Sequence, residues 1–203
     1  GSANNRIISG IPDNYPEAVK AIASGFSILH SAASVSYHKA YYRQTRYIAS
    51  TAAIGLDARV VKKISRLREE GNYGKLRQVW GVIKTVLSYK AVTATIIVDG
   101  KQSAQGAISR AIIKVDGRKN RISLRSVTTI NKLALLFNVY PLKNGYLRRE
   151  DKSYLVEGNS IRIESSGDIG VEADGELLGY TPIEFSIVDN ALRIATLPPL
   201  PHH

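Results

Sequence analysis

The stretch Val171–Ile187, VEADGELLGYTPIEFSI, constrains the fold of this chain more than any other. Ile183, Phe185 and Ile187 alternate with polar residues, a period of two that turns one face of a strand into a core. Asp174-Gly175 before them is a hairpin signal, because Gly tolerates positive φ and Asp tolerates the left-handed region. Glu172, Asp174 and Glu176 cluster at that turn, so a hairpin here presents carboxylates from a rigid edge. Asp99-Gly100 and Asp116-Gly117 repeat the turn signal, which alone therefore says hairpin and nothing about chemistry.

The rest of the chain reads as short strands with helices gathered in one part. Asp13 or Asn14 serves as N-cap, with Pro16 and Glu17 in the first turn, for a short helix that buries Ala18, Val19 and Ile22 and ends at Gly25. Phe26 to Ile54 has β texture. Val60, Val61, Ile64 and Leu67, then Leu76, Val79, Trp80, Ile83 and Val86, follow the helical period; the expectation is that both helices cover a sheet. A basic amphipathic helix of this kind can also lie on a membrane surface. Val92, Ala94, Ile96 and Val98 alternate ahead of Asp99-Gly100, and Ile122, Leu124 and Val127 mark another strand. A third helix is expected near Ile130–Phe137, and short strands at Tyr154–Val156, Ile161–Ile163 and in the closing ALRIATL. The fold class that follows is α+β, a mainly antiparallel, β-sandwich-like domain with a few covering helices.

Composition narrows the function. The formal charge of +11 asks for an anionic partner: Lys62, Lys63, Arg66 and Arg68 form one cluster, Arg118, Lys119, Arg121 and Arg125 a second, Lys143, Arg148, Arg149 and Lys152 a third. Each is open to three readings, a solvated basic face, a contact with anionic headgroups worth roughly 1 kcal/mol per basic residue, or a contact with nucleic-acid phosphates. Without cysteine there are no disulfides and no thiolate metal sites. No apolar run reaches the length of a membrane span and no signal peptide opens the chain, so a soluble, cytoplasmic protein peripheral to the membrane is expected. With no Met in 203 residues, the sequence is expected to be a fragment or to have lost residues. The P-loop and the protein-kinase His-Arg-Asp set are absent, and His30 and His38 lack the acidic company of a zinc site.

Three passages carry a resemblance. GSANNRIISGIP looks like a Gly-Thr-(Gly/Ala)-Asn-(Asp/Asn) segment; YIASTAAIGLDA, Tyr47–Ala58, looks like a strand ending in Gly-(Phe/Leu)-Asp-Ala; VEADGE, the Thr-Pro and NALRIATLP look like a terminal Asp-Gly-Glu and the strands after it. In that order they resemble the C-terminal part of the bacterial diacylglycerol kinase-like lipid kinases, relatives of the sphingosine kinases. The family's Gly-Gly-Asp-Gly-Thr phosphate loop belongs upstream of Gly1, and residues 101–117 are too short for its Gly-Gly-Gly stretch.

The resemblance implies three parts: residues 1–25 as the end of a nucleotide-binding lobe, 26–197 as a β-rich lipid-binding domain, and 198–203 as a tail. It implies ATP-dependent phosphoryl transfer to a lipid hydroxyl, with Glu176 first and Asp174 second as the base. Asn4 and Asn5 would border the nucleotide cleft, or are exposed terminal residues. Asp57 would line the lipid or phosphate cleft, or cap the helix that follows it. Mg²⁺ would arrive with ATP, and Asp116 could serve a structural metal. The implied partners are a lipid substrate and an anionic membrane surface, with no nucleic acid; a homodimer stays open. The alternatives are a catalytically silent lipid-binding domain and a nicotinamide-nucleotide kinase relative.

Overall fold

A computed structural model describes residues 14–71, 74–127 and 153–198. Asn14 is the N-cap of α1 (Tyr15–Ser24): its side chain accepts the Glu17 N–H at 2.8 Å, and Gly25 closes the helix in the left-handed region at φ 66°. The face expected to be buried is not. Val19 and Ile22 are exposed and Ala21 is the residue that packs inward.

Strands β1 (Ser27–Lys39), β2 (Tyr42–Ile48) and β3 (Thr51–Gly55) lead into α2 (Leu56–Glu69) and α3 (Lys75–Ser88). Then follow β4 (Val92–Val98), β5 (Lys101–Ile108), β6 (Arg110–Asp116), β7 (Arg121–Val127), β8 (Ser153–Gly158), β9 (Ser160–Ser165), β10 (Gly170–Ala173) and β11 (Glu176–Ala195). All pair antiparallel in one sheet of order β5-β4-β9-β11-β10-β3-β6-β7-β8, with β1 on β11 and β2 on β1. This is the expected α+β class, in a nearly closed, barrel-like form. Its two ends approach each other: the Tyr154 hydroxyl of β8 donates to the Ser103 carbonyl of β5 at 2.7 Å. The expected third helix at Ile130–Phe137 lies outside the described residues.

The strand alternation builds the core as read. Val35, Ile54, Ile113, Ile122, Leu124, Ile161, Ile163, Ile183 and Phe185 are fully buried in one cluster, each stabilising the fold by about 1.5–3 kcal/mol relative to exposure. Asp99-Gly100 and Asp174-Gly175 are both tight hairpin turns with two consecutive positive φ angles, 48° and 78° in one, 53° and 81° in the other. Asp116-Gly117 opens a longer turn that ends on Asn120 at φ 51°.

Among the described helices, α2 is the one that covers the sheet, against β3, β10 and β11. Its Leu56 and Val60 form a second small core with Val86 and Tyr89. The expectation that α3 also covers the sheet is corrected: it packs on α2. Gly81 is the point of approach, since a Cβ there would sit 2.8 Å from Leu67 Cδ1. Consequently Leu76 and Trp80 stand 79% and 69% exposed, without apolar cover among the described residues.

Candidate active site at the acidic hairpin

Register sorts the hairpin acids onto different faces. Glu172 stands opposite Leu177 on β11 and Ala53 on β3, whereas Glu176 pairs with Ala173. Successive strand residues face opposite ways, so Glu172 lies on the face that α2 covers and Glu176 on the other.

Glu176 meets Arg46 of β2, whose Nη1 donates to Oε2 at 2.8 Å. That hydrogen bond and the guanidinium charge hold the Glu176 carboxyl below the usual carboxylate range. Asp174 sits exposed at the tip, in the left-handed region. Half-buried Glu172 accepts the Gly175 N–H at 2.8 Å, which braces the turn. Burial pushes its carboxyl up, against the pull of that hydrogen bond.

Asp57 belongs to the same sheet face as Glu172. It does not cap α2: the N-cap is Gly55, and no side chain bonds to that helix end. Instead Asp57 is buried, and its Oδ2 accepts from Nε of Arg110, the β6 residue opposite Gly55, while Oδ1 has no partner. Burial raises the Asp57 carboxyl and the Arg110 charge opposes that shift. Tyr89 beside them is pushed up to about 12, chiefly by burial. Gly55 makes this crowding possible at φ 87°, where an added Cβ would lie 2.8 Å from the Ser109 carbonyl oxygen. Gly55→Ala is therefore expected to cost about 1–3 kcal/mol of stability, read as a lower urea midpoint.

Asp116 is placed at the same end of the sheet as Asp174, with β3 between them. Its Oδ1 accepts the N–H groups of Arg118 and Lys119 at 3.3 and 3.2 Å, and Lys119 Nζ is 3.8 Å from Oδ2. A carboxylate organising its own turn among cations is a poor ligand for a structural metal. No group of three His, Asp or Glu that could hold an ion occurs among the described residues. Asn4, Asn5 and the third basic cluster lie outside the described residues.

Sequence reasoning missed Arg46 and Arg110, for which no local pattern gave a signal, and it did not separate Glu172 from its neighbours. Burial does separate it.

No protein-family model matches the sequence, and no curated protein matches it significantly. Solved structures do. Two provisionally named diacylglycerol kinases from Bacillus anthracis str. Sterne match at TM-scores of 0.63 and 0.61 with 17% and 14% identity. A third structure, named a diacylglycerol kinase from the same strain, matches at 0.60 with 13% identity. Each match covers 97% of this chain. The chain has the fold of these kinase-named structures. That is the relationship the three sequence passages implied. The chain spans 65%, 63% and 66% of the lengths of these structures, under two thirds in each case.

Proposed function

We propose that the protein is an ATP-dependent lipid kinase that transfers a phosphoryl group to a lipid hydroxyl. The observation that carries this reading is the Glu176–Arg46 pair at the tip of the hairpin, on a fold shared with structures named as kinases. Phosphoryl transfer to an alcohol needs a carboxylate to accept the hydroxyl proton and a cation to neutralise phosphate charge, held in line. In this reading the acceptor oxygen bonds to the terminal phosphorus of ATP, the bond from that phosphorus to the ADP oxygen breaks, and the hydroxyl proton passes to Glu176. Asp174 is the second candidate for the base. Mg²⁺ enters as the nucleotide's counterion, and no step is assigned to a protein-held ion.

The test is transfer from ATP to a panel of diacylglycerol, sphingosine, phosphatidylglycerol and an isoprenoid alcohol, with NAD as a non-lipid acceptor, using the full-length protein. Phosphorylated lipid supports the proposal. Phosphorylated NAD alone would make the protein a nicotinamide-nucleotide kinase, and no product with any acceptor would leave a binding domain on a kinase fold.

A peripheral membrane position belongs to the same reading. Leu76 and Trp80 project from α3 among Lys75, Arg77 and Lys84, the arrangement by which an amphipathic helix enters an anionic interface. No helix among the described residues is long and apolar enough to cross a membrane. Replacing both Leu76 and Trp80 by Ser is expected to weaken sedimentation with phosphatidylglycerol vesicles by about tenfold or more. Equal binding by the variant would remove α3 from the membrane contact.

A further inference from the structure

A cavity of about 250 Å³ opens where α2 meets the base of the β10–β11 hairpin, with Leu177 as one wall. Three cations line it, Arg59, Lys62 and Lys90, against one carboxylate, Asp168. Arg59 and Lys62 are one turn apart on α2 and so project from the same face of the helix.

Tyrosines hold two of these cations in place. Lys62 Nζ donates to the Tyr180 hydroxyl at 2.6 Å and stands 5.4 Å from the centre of its ring. The Arg59 guanidinium lies 5.8 Å from the ring centre of Tyr89. The Tyr180 hydroxyl and the Tyr89 ring are neutral, so they position a cation without cancelling its charge, and none of the ion pairs among the described residues involves Arg59, Lys62 or Lys90. The cavity thus keeps positive charge that no carboxylate among the described residues pairs with at ion-pair distance, Asp168 included. Glu172, opposite Leu177 on the same face, already accepts the Gly175 N–H.

Size limits the occupant. Pockets that bury a drug-sized molecule run from roughly 300 to 1,000 Å³, so this one takes a headgroup and leaves any acyl chain outside. Arg supplies a planar fork matched to phosphate oxygens, and Lys a point charge beside it. We propose that this cavity binds a phosphate group, carried either on a phospholipid headgroup or as free phosphate. Such a site is separate from the Glu176–Arg46 pair, on the opposite face of the hairpin, and it would stand even if transfer chemistry were disproved.

Titration calorimetry of the full-length protein would use three probes: inorganic phosphate, monomeric dihexanoyl phosphatidate, and dihexanoylglycerol, which lacks the phosphate. Phosphatidate is expected to bind, and an Arg59→Gln/Lys62→Gln double variant to weaken it by about tenfold or more. Lys114→Gln, on the outer surface of β6, should leave binding unchanged. Comparable binding of inorganic phosphate would mark free phosphate as the ligand; binding of phosphatidate alone would mark a lipid headgroup. Tyr180→Phe, which removes the hydroxyl that Lys62 contacts and keeps the ring, gives an independent reading should the double variant not fold. The proposal is overturned if no phosphate probe binds, if dihexanoylglycerol binds as well as phosphatidate, or if affinity is the same in both variants.

Discussion

Glu176→Gln is expected to slow phosphoryl transfer by about 10²–10⁴-fold, the usual contribution of a positioned general base. The amide keeps the shape of the carboxylate and can still accept from Arg46, but it cannot take the proton of the attacking hydroxyl. The loss should therefore fall on kcat, with KM for the lipid little changed. Arg46→Gln supplies the complementary reading. Arg46 holds the Glu176 carboxyl low, so without it the carboxyl returns toward its ordinary range and the acid limb of the pH–rate profile moves to higher pH. Retention of activity within about threefold in Glu176→Gln, with a large loss in Glu172→Gln, would transfer the base role to the half-buried acid.

The largest effect on stability is expected from Asp57→Ala. Removing one partner of a buried ion pair leaves the other charge uncompensated and typically costs about 3–5 kcal/mol. Arg110 and Asp57 are 9% and 7% exposed at their side chains, too deep for solvent to take over. Domains are stable by only about 5–15 kcal/mol, so a large drop in the urea midpoint should follow. Arg110→Ala should differ in its pH dependence. Burial already raises the Asp57 carboxyl; without the guanidinium the folded state would bind its proton through a wider range. Stability of that variant should fall as pH rises above the ordinary carboxylate range, because charging the lone carboxylate then opposes folding. A pH-independent midpoint would show that Asp57 is solvated after all.

The parts of this molecule that sequence made visible are those in which one residue's own chemistry decides the geometry. Asn14 and Gly25 mark the ends of α1 because a side-chain cap and a left-handed terminus are local properties. Asp99-Gly100 and Asp174-Gly175 turn where they were expected to, and the apolar alternation around Ile183 and Phe185 does point to the core. What stayed hidden depends on distant residues meeting. Asp57 read equally well as a cap or a cleft residue, and only the pairing of Gly55 with Arg110 decides that it is a buried partner. Helical periodicity in α3 shows which residues share a face, but not whether a sheet, another helix or nothing lies opposite. The site is split in the same way: its acids could be named in advance, while the cations that set their behaviour arrive from β2 and β6.

The pairing of β1 with β11 also bears on how the molecule is made. Ser27 stands opposite Ala195, and His38 opposite Tyr180, so β1, which meets β2 at once on one side, finds its other neighbour only in β11, far along the chain. Contacts this remote in sequence slow folding and prolong the time that unpaired edges are exposed. On the ribosome, β1 and β2 must wait as an unfinished hairpin while the central strands emerge. The assembly closes only after β11 has left the exit tunnel, and the acidic hairpin at the head of that strand takes its final place in the same late event.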